Sequence, residues 1–124
     1  MNPLLLAVFL VTAGVNAAAQ LLIKKGAIVL APVLSGGDSL LLKAARMIMN
    51  PFVLAGAALL GLGMLLWIKV VSQVELSRAY PVNIALTVII TTLVSVVLFQ
   101  EGMTFVKLAG IALTLAGVWM VFAG

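Results

Sequence analysis

Four stretches of this chain, Leu4 to Ile23, Phe52 to Val71, Ala79 to Phe99 and Thr104 to Ala123, contain only two charged side chains, Lys69 and Lys107. Each is close to the ~20 residues with which an α-helix crosses about 30 Å of hydrocarbon. Lipid offers the backbone no hydrogen-bond partner, so only helices and closed barrels can span it. The stretches lack the polar–apolar alternation of a barrel strand, which leaves helices. The expected fold is all-α and integral to the membrane, a single four-helix transmembrane domain over residues 1–124. Composition agrees: 65% hydrophobic and 8% charged residues, with a mean hydropathy of +1.38, leave too little polar surface to clothe a soluble domain.

The connections refine this picture. Gln100 to Gly102 is short enough to force an antiparallel helical hairpin. Between the first two spans, "VLAPVLSGGDSLLLKAARMIMNP" carries chain breakers at Pro32 and Gly36-Gly37. Asp38 or Ser39 then supplies an N-cap for a short helix over about 39–49, with Lys43 and Arg46 on one face. Such a helix lies at the interface with its charges toward headgroups. Asn50-Pro51 closes it and opens the second span. Ala17 to Ala19 resemble a signal-peptidase site, but no basic segment precedes the first apolar run, so that run is read as a retained span. Counting Lys24, Lys25, Lys43, Arg46 and Lys107 against Lys69 and Arg78 gives five positives to two and, by the positive-inside rule, both termini outside the cytoplasm. If Lys24 and Lys25 lie within the protein the count is three to two, so orientation stays open, dual insertion included.

Several function classes fall away. The chain has no cysteine and no histidine, hence no thiolate, disulfide or imidazole base, and neither paired carboxylates nor a nucleophile with its base occurs within the spans. No enzyme activity, cofactor or metal site is expected. The net charge of +4 comes from seven Lys/Arg at the ends of apolar segments, a placement that serves headgroups and topology and not nucleic acid.

Polar residues inside the spans carry the remaining information. Thr12, Asn16, Gln20 and Lys24 are spaced by four, which aligns them along one helix face over about three turns. An amide at that depth needs a partner from another helix, water or a ligand. The cationic end of the stripe suits an anionic headgroup. Lys25 lies off the stripe, where lysines commonly snorkel. In the third span Asn83, Thr87, Thr91 and Ser95 repeat the spacing. The hydroxyls can bond the carbonyl four residues back, whereas Asn83 cannot do so as easily. Tyr80-Pro81 places an amphipathic ring at the interface, and Arg78 either pairs with Glu75 or meets a headgroup. Small residues in "AGAALLGLG" and "GIALTLAGV" allow close approach within the chain or between chains. Four helices enclose little polar space, so a dimer is the expected working form.

Taken together, "FQEGMTFVKLAGIALTLAGVWMV", "LSRAYPVNIALT" and "AAQLLIKKGA" resemble the closing hairpin, the third-helix start and the first-helix end of the drug/metabolite transporter superfamily, over nearly the whole chain. Two four-helix branches are relevant. The small multidrug resistance family exports cationic compounds with a glutamate in its first helix; the matching position here is Asn16, and an amide cannot bind the coupling proton. "AAQLLIK" and "LSRAYPVN" are more similar to the paired subunits that flip aminoarabinose-phosphoundecaprenol. That resemblance implies a flippase-like translocator of a polyprenyl-phosphate-linked sugar or similar anionic lipid in the bacterial inner membrane. It would work by alternating access as a homodimer, or with a paralogous four-helix subunit. The substrate contacts it implies, with the stripes, are Asn16, Gln20, Lys24, Lys25, Arg78, Tyr80 and Asn83. Export of small amphiphiles or metabolites, and a scaffold that transports nothing, are the alternatives.

Overall fold

A computed structural model describes residues 3–124. The chain forms α1 (Pro3–Leu34), α2 (Leu40–Met49), α3 (Pro51–Val71), α4 (Leu76–Leu98) and α5 (Phe105–Ala123). No strand occurs among the described residues. All but α2 are long and apolar enough to cross a membrane, so the fold is all-α with four spanning helices and a short one between the first two.

The first helix runs well past Ile23, for 32 residues, about 48 Å at 1.5 Å per residue. Lys24, Lys25 and the following Gly-Ala-Ile-Val-Leu contain nothing that stops a helix. Pro32 does not break it either: it forfeits an N–H bond to Ile28 O, but only two helical residues follow it, so a bend there displaces little. Ser35 then closes the end, its N–H and hydroxyl donating to Ala31 O at 3.1 and 3.0 Å. In α2 the cap is Ser39, whose hydroxyl accepts from Leu42 N at 3.3 Å. Asp38 instead stands 3.9 Å from Arg46. Buried Asn50 ends α2 and starts α3: its side-chain oxygen accepts from Phe52 N at 2.9 Å and Val53 N at 3.2 Å, with Pro51 in the first helical turn.

The central helix is α1, which packs along α3 and α4, while α5 leans on α4 alone and has no buried residue. The α1–α3 seam uses Asn16, Ala19, Ile23 and Gly26, steps of three, four and three that keep a seam facing one partner. The backbones approach closely at three glycines. A methyl at Gly26 would lie 2.8 Å from Val53 Cγ2, one at Gly56 2.7 Å from Ile23 Cγ1 and 3.1 Å from Ala19 O, and one at Gly63 2.5 Å from Asn16 Oδ1. These are the small-residue contacts that let spanning helices associate without a hydrophobic driving force.

These pairings fix two levels. Gly26 lies beside Asn50, and Lys24 Nζ lies 3.6 Å from Glu101 Oε1, so the start of α3, the α4–α5 connection and Lys24 share one end. Phe9, Val70 and Ala79 cluster at the other, where Arg78 Nη2 donates to Gly124 O at 3.1 Å. The 21 residues of α3 measure about 31 Å between the two ends, close to the hydrocarbon thickness. Beyond Gly26, α1 runs on for about 12 Å, and α2 folds back from it. At the Lys24 end Gln100 turns the chain with φ 52°, Thr104 caps α5 by accepting from Lys107 N at 3.1 Å, and Lys107 Nζ donates to Gly102 O at 2.8 Å.

Candidate functional site

Because α3 and α4 meet only sparingly, a cleft opens between them with α1 as its floor. Its hollow of about 240 Å3 is lined by Asn16, by Leu60, Gly63, Met64 and Trp67 of α3, and by Tyr80 and Asn83 of α4. Gly63 makes room for the Asn16 amide, since any side chain there would occupy the same space. Trp67 is braced edge-on by Phe9 (centroids 6.3 Å, 87° between planes) and by Tyr80 (6.1 Å, 62°). Asn83 is only 9% exposed, and its Oδ1 is buried without a hydrogen-bond partner.

The unpaired row continues along α4. Thr87 Oγ1 and Thr91 Oγ1 are likewise buried without partners. Thr12 and Thr114 behave as the sequence led one to expect, donating to Val8 O at 2.7 Å and to Gly110 O at 2.9 Å. The expectation that hydroxyls satisfy themselves therefore fails at Thr87 and Thr91. Unpaired polar groups at membrane depth are costly, and where they line a cavity they mark a path for a polar species. Thr91 opens onto a second hollow of about 260 Å3 at the Lys24 end, with Thr92, Ser95, Glu101 and Lys107. A third, of about 270 Å3, lies at the opposite end between Gln73, Glu75, Arg78 and Phe122.

The seven residues singled out in the sequence are thus divided. Asn16, Tyr80 and Asn83 come together in the cleft. The four-spaced row of α1 is not one face: each step of four turns about 40° further round a helix of 3.6 residues per turn. Thr12 is consequently buried, Asn16 half-buried, and Gln20 and Lys24 exposed. Lys24 sits about 12 Å along the axis from Asn16, paired with Glu101, both side chains about half exposed at 50% and 42%. Lys25 Nζ stands 4.9 Å over the Phe52 ring. Arg78 is at the other end, its Nε 3.7 Å from Glu75 Oε2, the local pair its spacing allows. Sequence reasoning missed Gly63 and Trp67 as cleft walls and Glu101 as the partner of Lys24. Gly63 was visible as a packing glycine, but nothing in one sequence shows which side chain fills the space it leaves.

Comparison with known proteins gives the same direction. The model of the EamA-like transporter family matches residues 17–123. Among curated proteins, the "Probable 4-amino-4-deoxy-L-arabinose-phosphoundecaprenol flippase subunit ArnE" of Pseudomonas aeruginosa (strain UCBPP-PA14) and that of Pseudomonas paraeruginosa (strain DSM 24068 / PA7) are each 41% identical to this chain over 59 residues, 48% of this chain and 50% of the relative. The chain thus spans about half the length of the curated relatives it matches. No solved structure matches. With an apolar four-span fold and a family model matched from Ala17 to Ala123, the chain belongs to the EamA-like transporter family.

Proposed function

We propose that this membrane transporter is one subunit of a dimeric, flippase-like translocator of a polyprenyl-phosphate-linked sugar or similar anionic lipid. The observation that carries the reading is the row Asn83, Thr87 and Thr91, whose buried, unpaired oxygens run from the cleft to the hollow at the Lys24 end. In this state the row is packed against protein; parting of the helices would offer it to a polar headgroup while the lipid chain stays in the bilayer. The cleft opens sideways between α3 and α4, as a substrate that never leaves the bilayer requires.

Cations stand at both ends of the row. With Lys24 and Lys25 exposed, the count of five positives to two favours the Lys24 end as cytoplasmic. There Lys24 exchanges Glu101 for the lipid phosphate, with Lys25 among the headgroups and Gln20 on the outward flank. The sugar passes Thr91 and Thr87 to Asn16, Tyr80 and Asn83, and the phosphate reaches Arg78 on the far side. A second subunit, identical or paralogous, supports this cycle by covering α5 and Gln20, which are exposed. The identity of the matched relatives favours a bacterial inner membrane. Proton-coupled export is the poorer fit, because Glu75 and Glu101 both lie at the ends and the cleft holds amides.

The test is translocation of a labelled polyprenyl-phosphate sugar in proteoliposomes, with the paralogous subunit present if one is required. Asn83→Leu should slow flipping about tenfold or more, the cost of a lost polar contact in a dry site, with assembly unchanged. An undiminished rate in an assembled Asn83→Leu protein would overturn the reading and favour a scaffold.

A further inference from the structure

The cleft does not explain an apolar groove of about 400 Å3 on the other side of the α1–α4 wall, where Phe9 faces Val82 and Leu86 of α4 and Leu115, Val118 and Trp119 of α5. It exists because α5 rests on α4 without closing over α1. Along α5 it extends from Leu115 to Phe122, about 10 Å, from mid-membrane toward the Arg78 end. Phe122 lines this groove and also the hollow that holds Gln73, Glu75 and Arg78, so an apolar trough opens onto a cation at the membrane surface. Arg78 has five N–H donors; one bonds Gly124 O, and Nε faces Glu75 at 3.7 Å, too long for a strong bond. Capacity remains at Arg78 for a bidentate phosphate.

A trough for one chain with a guanidinium at its mouth is complementary to a lipid phosphate. We propose that the groove seats the hydrocarbon chain of the translocated lipid at its release station, its phosphate held by Arg78. This rests on the flippase reading and adds to it a site for the chain, separate from the cleft for the sugar. Arg78 lies two residues before Tyr80 on α4, about 200° round the helix, so it faces the α5 and groove side while Tyr80 faces the cleft, and a phosphate reaches it by rounding the end of α4. The chain then enters the groove sideways from the bilayer, with no need to cross the polar cleft. The ring series Phe9, Trp67, Tyr80 joins the two sites: Phe9 lines the groove, and Trp67 and Tyr80 line the cleft.

The probe is hexadecyl phosphate with a chain-borne diazirine, photolysed with the full chain in phosphatidylcholine proteoliposomes and mapped by peptide mass spectrometry. Labelling is expected on the 115–122 segment of α5. Arg78→Gln should weaken it about tenfold, Leu115→Trp should block it by filling the groove, and Leu113→Trp, which lines no part of the groove, should leave it unchanged. Trp119→Ala, at a position 72% exposed and therefore tolerant of truncation, removes the outer wall and should lower labelling severalfold even if Leu115→Trp fails to fold. Labelling confined to the Leu60–Trp67 face of α3, or equal labelling by the diazirine analogue of hexadecanol, would overturn the assignment. Groove labelling without any sugar-lipid translocation would overturn the flippase reading and with it the identity of the occupant. Translocation with no groove labelling would overturn the groove alone.

Discussion

Asn16 and Gly63 act as one unit. The amide occupies the volume that glycine vacates, so Gly63→Ala should evict it from the cleft floor at little cost to the fold, because an asparagine end group can rotate away. Transport is expected to fall about as far as in Asn16→Leu, with thermal stability in detergent changed by less than about 1 kcal/mol. Gly56→Ala is the contrasting case: its methyl meets Ala19 O, a backbone atom, so the loss should appear as lowered stability. Gln100 supplies a third test. Its φ of 52° is a left-handed conformation that costs a side-chain-bearing residue about 1 kcal/mol. Gln100→Gly should therefore raise the melting temperature without altering transport. Of these features only Asn16 was legible as a functional candidate in the sequence. A missing side chain and a backbone angle become informative only when the neighbour is known.

At the level of elements, the sequence read the helices well and their faces less well. The cap at Ser39, offered beside Asp38, and the Asn50-Pro51 junction were legible because capping is local chemistry, whereas Thr104 stood only as the start of a span. The end of α1 was not legible, because Pro32 is a breaker in mid-helix and tolerable in a last turn. The four-spaced rows also diverged in fate. On α4 the row stays against protein to Thr91, while on α1 it rotates out of the seam after Asn16. Glu101 was not legible as part of a pair, since its partner Lys24 lies on another element. An exposed pair such as Lys24 and Glu101 contributes roughly 0 to 1 kcal/mol, so Glu101→Gln should leave stability almost unchanged. If Lys24 receives the phosphate, removing its competitor should tighten binding of an anionic lipid, measured by fluorescence titration, and slow turnover through delayed release.

For the whole molecule, the all-α membrane fold and its four spans were legible from hydropathy and the family from its motifs, while the cleft depends on how far α3 and α4 diverge. Orientation is testable directly. Asp38→Cys, at the Lys24 end, should react with a membrane-impermeant maleimide from the cytoplasmic side, and Gln73→Cys from the opposite side. A mixed pattern would indicate dual insertion and remove the charge argument for direction. The three glycine contacts between α1 and α3 have a mechanical consequence as well. Two helices interlocked at Gly26, Gly56 and Gly63 cannot slide past one another without driving side chains into backbone, whereas α3 touches α4 only sparingly and α5 is held by α4 alone. On the proposed reading the α1–α3 pair is the chassis and the α4–α5 hairpin, which rests on α1 through α4, the moving part, with a stroke limited by how far Trp67 and Tyr80 can separate before the cleft loses its outer wall.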